Sequence, residues 1–219
     1  NCTNVVISNG GSATCTVTNN DIAPAPTTGH LIVDKVTQPA ADTTEFTISA
    51  SGTGAITGGA AGTVTDATSK NYEVVAGTYS VTETVPAGWT EVSNTCVDVV
   101  VATGGEATCT ITNAKLPMLT VTKVVTNDDG GTKEVADFPL FIDAVGVTSG
   151  VQSTSTVGAH TVSETGSEGY TAVISGDCEA DGTITLVAGD VKSCTITNND
   201  NPIIAGVLIT EVLYDVDTA

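Results

Sequence analysis

The chain has 219 residues, a formal net charge of −19 and 4% aromatic side chains. All six basic residues are Lys, so the chain repels phosphate backbones and lacks the Arg forks that read bases. Nucleic acid and anionic membrane surfaces are excluded as partners, and the acidity reads as a solvated surface. No run is long and apolar enough to span a bilayer, and no signal peptide is visible.

In chain order, residues 1–20 read "NCTNVVISNGGSATCTVTNN". They match only the end of two later stretches, "NTCVDVVVATGGEATCTITN" and "GDCEADGTITLVAGDVKSCTITN". Residues 1–20 are therefore expected to be the closing hairpin of a truncated repeat, and the sequence an excerpt starting inside a longer protein. Residues 21–29, rich in Pro and Thr, form a stiff linker. Residues 30–113 and 118–199 are two full repeats separated by a second linker at 114–117. Their middles, "VVAGTYSVTETVPAGW" and "STVGAHTVSETGSEGY", align without a gap. Each repeat alternates apolar and polar residues in short runs broken by Gly, Asn and Asp. That pattern predicts tandem antiparallel Ig-like β-sandwiches in an all-β chain. Residues 200–219 match no repeat. "GVLITEVLYD" predicts a strand there, which either starts a further domain or is donated to a neighbouring subunit.

The six Cys fall as one pair per repeat unit: Cys2 with Cys15, Cys96 with Cys109, Cys178 with Cys194. Zinc would need Cys-x-x-Cys knuckles or nearby His, and reduced thiols would not recur so regularly. Local disulfides fit best and place the chain outside the cytoplasm.

Strand alternation puts Lys35 on the face of Leu31 and Val33, and Lys123 on the face of Leu119 and Val121. By the same count Glu83 and Glu164 point with Val81 and Val162, while Asn113 and Asn198 point with Ile111 and Ile196. Each core thus receives an ammonium, a carboxyl and a carboxamide. Isolated buried charges are costly, so the three groups must meet. This order is a Lys in the first strand, a Glu in a "Y-x-V-x-E-T…G-W/Y" strand, and an Asn ending the last strand. It resembles the prealbumin-like, B-type repeats of collagen-binding adhesins and Gram-positive pilin stalks.

The resemblance implies an intramolecular isopeptide bond between Lys35 and Asn113 with Glu83 as catalyst, and another between Lys123 and Asn198 with Glu164. Asn19 would be the acceptor of the truncated copy. The paired Cys depart from that family pattern. Burial favours a neutral, nucleophilic amine and a protonated acid that can polarise an amide, so the chemistry is coherent by itself. The alternative is a buried salt bridge with a hydrogen-bonded Asn and no covalent bond.

The remaining signals are weaker. "TNDDGG" at 126–131 reads as a turn before a calcium loop. His30 and His160 have no evident catalytic partner, and Trp89 and Tyr170 read as packing residues. No metal or cofactor is expected. Two His support no catalytic triad, so no turnover enzyme is expected, only single-turnover self-cross-linking. The function implied is structural, the repeat region of a stalk or filament at the cell surface. It would associate end to end or adjoin flanking domains of a longer chain. The competing function is an adhesin segment that binds a protein or glycan.

Overall fold

Val, Ile and Thr recur at alternate positions, a pattern that suits a pleated surface buried on one side. The computed structural model describes residues 2–20 and 27–203. In chain order the first full repeat contributes β1 (Thr28–Gln38), β2 (Phe46–Gly52), β3 (Ile56–Thr57), β4 (Ala61–Val64), β5 (Ser69–Val75), β6 (Gly77–Thr84), β7 (Trp89–Asn94), β8 (Val99–Val101) and β9 (Glu106–Lys115). The second contributes β10 (Met118–Thr126), a 3-10 turn at Val135–Asp137, β11 (Leu140–Ile142), β12 (Val145–Val147), β13 (Gln152–Thr154), β14 (Gly158–Glu164), β15 (Tyr170–Gly176), β16 (Thr183–Leu186) and β17 (Val191–Asp200).

Each repeat folds into a pair of sheets. The first has the orders β3-β5-β1-β9-β7 and β4-β2-β6-β8, and the second β13-β10-β17-β15 and β12-β11-β14-β16. The chain is all-β, with two tandem sandwiches. Pairing is antiparallel except for one ladder per repeat. The first and last strands lie side by side and parallel, with Lys35 opposite Ile111 in β1·β9 and Lys123 opposite Ile196 in β10·β17. Parallel neighbours need a long crossover, which here is the whole body of the repeat.

The first core packs Leu31, Val33, Phe46, Ile48, Tyr72, Tyr79 and Ile111, all essentially inaccessible. The second packs Leu119, Val121, Val162, Leu186 and Ile196, with Phe138 also buried.

Residues 2–20 contain a turn at Asn9-Gly10 and a disulfide, but no strand is assigned to them. Val6, Ile7 and Val17 are exposed there. The aligned strand β9 lies between two neighbours, β1 and β7, and a hairpin without such neighbours is marginal in water. The expected terminal strand within 204–219 lies outside the described residues.

The connection between the sandwiches is shorter than its composition suggests. β9 continues through Lys115 and β10 begins at Met118, which leaves Leu116 and Pro117 between strands. Backbone bonds hold this joint: Leu116 N donates to Gly88 O at 2.8 Å, Gly189 N to Lys115 O at 2.9 Å and Met118 N to Asp190 O at 2.8 Å. Gly189 adopts a φ of +77°, and a Cβ there would lie 2.9 Å from Cδ of Pro39 in the preceding repeat. Gly189→Val is therefore expected to loosen the joint and leave both sandwiches folded. Small-angle scattering should show a broader distance distribution with unchanged far-ultraviolet circular dichroism, and an unaltered distribution would refute this role for Gly189.

Candidate functional site: a buried Lys, Glu and Asn in each sandwich

Three strands carry the polar groups of the first core. β1 brings Lys35, β6 brings Glu83 and β9 brings Asn113. Lys35 is 1% exposed and Asn113 is fully buried. Lys35 Nζ donates to Asn113 Oδ1 at 2.6 Å and lies 3.2 Å from Glu83 Oε1, whose side chain is also inaccessible. Asn113 Nδ2 donates to Glu83 Oε2 at 2.5 Å, closing a three-membered ring of contacts. Burial pulls the Lys35 pKa below its ordinary value, against the opposing attraction of Glu83. An amine is thus held against an amide carbonyl, with a carboxyl group touching both.

The second core brings together two of the three groups. Lys123 Nζ lies 2.8 Å from Glu164 Oε2, and burial lowers the Lys123 pKa in the same way, again opposed by its carboxylate. Both amines also donate to the backbone two positions before the Asn. Lys35 reaches Ile111 O at 3.4 Å, and Lys123 reaches Ile196 O at 3.3 Å. Asn198 is buried beside them, but its Oδ1 has no hydrogen-bond partner. The first triad is closed and the second is open at its amide. Asn19 is exposed.

Each amine also rests on a ring that the sequence reading did not single out. Lys35 Nζ sits 4.1 Å from the centroid of Phe46, and Lys123 Nζ 4.7 Å from that of Phe138. Those rings are in turn held edge-on, Phe46 by Trp89 at 5.1 Å and Phe138 by Tyr170 at 5.3 Å. Trp89 and Tyr170 are therefore packing residues that steady the platform. A signal was available in the sequence, because each Phe directly follows an acidic residue, in "TEFT" and "ADFP".

Disulfides join Cys2 to Cys15, Cys96 to Cys109 and Cys178 to Cys194. Loops of this length are each worth about 3 kcal/mol in the chain-entropy account. The acidic turn after β10 wraps a carboxylate. Asp200 accepts from the backbone N–H groups of Asp128, Asp129 and Gly131, at 2.9, 2.9 and 2.6 Å. Burial opposes ionisation of Asp200, but these donors outweigh it and hold its pKa below the ordinary carboxylate value. His160 does have an acidic partner, Asp143, contrary to the sequence expectation. Asp143 lies 17 residues upstream in a turn of another strand pair, so local sequence could not reveal it.

The family described as a prealbumin-like fold domain matches residues 23–115 and 112–196. Among solved structures, the chain is similar to the Bacillus anthracis TIE protein, with 19% identity and a TM-score of 0.38, over 80% of this chain and 34% of that one. The chain thus spans about a third of that protein's length. It is also similar to the major pilin of Streptococcus pyogenes, with 16% identity and a TM-score of 0.31, over 80% of this chain and 99% of that one. A third is a Mobiluncus mulieris adhesin described as containing intramolecular disulfide, isopeptide and ester bond cross-links. It shares 13% identity with a TM-score of 0.25, over 72% of this chain and 85% of that one. No curated protein sequence matches.

Phe46→Leu keeps an apolar side chain beneath the amine but removes the ring face. The expected loss is about 1–2 kcal/mol of stability, measured by urea unfolding, for a desolvated cation–π contact. A change within error would show that the ring contributes packing only.

Proposed function

Since this chain belongs to the prealbumin-like fold domain family, we propose that it is a structural repeat region of a secreted bacterial surface stalk or filament, each sandwich closed by a Lys–Asn isopeptide bond. The observation that carries this reading is the buried contact of Lys35, Glu83 and Asn113 between the first and last strands. The same residue types occupy the corresponding strands of the second repeat.

The chemistry needs no co-reactant. In a dry site the ammonium passes a proton to the carboxylate, leaving a neutral amine and a carboxylic acid. Lys35 Nζ attacks Asn113 Cγ while the acid polarises the amide carbonyl. The new C–N bond forms, the bond to Nδ2 breaks, and ammonia leaves with a proton relayed through Glu83. The fold holds the reacting groups in contact, so proximity supplies much of the rate. Each Glu acts once, so the protein is not a turnover enzyme.

A stalk under tension benefits directly. β1 and β9 are adjacent and parallel, so a pull on the two ends of a repeat shears one ladder. A bond from Lys35 to Asn113 would bypass that ladder. On this reading the chain lies at the cell surface, between flanking repeats or subunits. Exposed Asn19 would serve as acceptor for a Lys on a stretch of polypeptide that completes its hairpin.

Intact-mass analysis is expected to fall short of the sequence by one ammonia per cross-link, besides the hydrogens lost to disulfides. Glu83→Ala should abolish one loss and Glu164→Ala the other. Because Asn113 already meets its amine and Asn198 does not, the bond of the first sandwich should form earlier in a time course after synthesis. Lys133 is exposed between β10 and β11, so a Lys-specific protease nicking there should leave fragments joined through Lys123 and Asn198. A full mass with separable fragments would leave two buried salt bridges and remove the covalent reading.

A further inference from the structure

His160 stands where the first repeat has Tyr79, and the two side chains make the same bond. Tyr79 donates its hydroxyl to the carbonyl of Val75, four residues back in sequence. His160 Nε2 reaches the carbonyl of Thr156, also four residues back, at 2.8 Å. In both repeats the side chain ties a core strand to the residue four places back, the end of β5 in the first repeat and the loop before β14 in the second. The histidine makes one further contact. Its Nδ1 lies 2.5 Å from Asp143 Oδ2.

Asp143 is itself held in place. It begins the two-residue turn between β11 and β12, where Asp143 and Ala144 have φ values of 48° and 67°. Turns of this kind suit the twist of a hairpin but need positive φ at both residues, which Asp tolerates better than most. Its other oxygen, Oδ1, accepts from the backbone N–H of Thr161 at 2.9 Å.

The protonation state of His160 follows from its partners. A carbonyl oxygen can only accept, so Nε2 must donate. An ionised carboxylate can only accept, so Nδ1 must donate too. A neutral imidazole carries one N–H and satisfies only one of these contacts. We propose that His160 is a pH-sensitive clamp. As an imidazolium it ties the β11–β12 turn and the loop before β14 to the core of the second sandwich, and on deprotonation it releases one of the two.

The surroundings fit this assignment. Asp143 faces the ring from the β11–β12 turn. Asp177 and Glu179 from the β15–β16 connection, and Lys192 from β17, line a cavity that His160 also borders, where Lys192 lies 3.6 Å from Asp177. Asp143 is the carboxylate in contact with the ring. Burial by itself disfavours the imidazolium, but the bonds to Asp143 and Thr156 outweigh it and hold the His160 pKa above the ordinary 6.5. The reciprocal effect holds the Asp143 pKa below its ordinary value.

The sign of the coupling follows. A group whose pKa is higher folded than unfolded adds stability that is fully present below the unfolded value, and loses it as pH rises through the folded value. Each unit of elevation corresponds to about a tenfold fall in the folding equilibrium constant across that window. The second sandwich is thus tightened below the ordinary histidine pKa of 6.5 and loosened as pH rises through the higher folded value. The first sandwich has Tyr79 in the equivalent position, whose pKa burial raises above the ordinary 10.0, so it has no such dependence in the range where histidine titrates. The clamp is independent of the isopeptide reading, since His160 touches none of its residues.

The test is a titration of the full-length protein followed through its imidazole nitrogen resonances, with His160 assigned by its loss in His160→Tyr. The expected result is a His160 midpoint above 6.5, with both nitrogens protonated below it. In Asp143→Asn, which keeps the size of the side chain but removes its charge, the midpoint should fall. His160→Tyr should fold, because Tyr makes the corresponding bond in the first repeat, and its unfolding temperature should lack the decline expected of His160 as pH rises through its folded pKa. A midpoint at or below 6.5, or a midpoint unmoved by Asp143→Asn, would overturn the proposal.

Discussion

Each sandwich is organised around an ammonium that has been taken out of water. A buried charge without a partner is strongly unfavourable, and a buried pair is tolerable only where hydrogen bonds complete it. Lys35 therefore constrains three strands at once. A register slip of one residue in β1 would turn Lys35 to solvent and bring Asp34 or Val36 inward. The same slip in β9 would remove Asn113 from reach. The parallel β1·β9 ladder and the position of β6 opposite it are the arrangement in which all three polar groups meet, with Phe46 beneath the amine.

The two repeats solve the same structural problems with different residues. The ring under the amine is Phe in both, but the aromatic that steadies it is Trp89 in one and Tyr170 in the other. The loop after the first strand is gathered by Asp66 in the first repeat, where it accepts from the backbone N–H groups of Thr37 and Ala41. In the second repeat Asp200, at the end of β17, does this work. The tie to the residue four places back is Tyr79 in one repeat and His160 in the other. Substitution has been free where a different donor or acceptor can occupy the same place. The buried Lys, Glu and Asn have the same residue types in both repeats.

The closing strand concentrates the devices that hold each unit together. β9 carries Cys109 and Asn113 on one face, and β17 carries Cys194 and Asn198. The disulfide ties this strand to the connection one strand further back, β7–β8 in the first repeat and β15–β16 in the second, and in the first repeat Asn113 also meets Lys35 of the opening strand. Modest cores with few aromatic rings gain from both kinds of tie. The hydrogen-bonded joint at Leu116 and Pro117 then passes directly from one closing strand into the next opening strand.

Period-two alternation, the recurrence of "CTITN" and the placement of Lys35, Glu83 and Asn113 on apolar faces were all legible in the chain by itself. They are local properties: a strand's two faces follow from the pleat, and a repeat follows from self-comparison. Tertiary structure decided what depends on distant partners. It placed the first and last strands side by side in parallel, which alternation cannot specify. It put Phe46 and Phe138 under the amines and left Asn198 Oδ1 without a hydrogen-bond partner. It also set Asp143 against His160, across a turn of another strand pair. Side-chain contacts between residues far apart in sequence carry no periodic signal, so only the packed sandwich could show them.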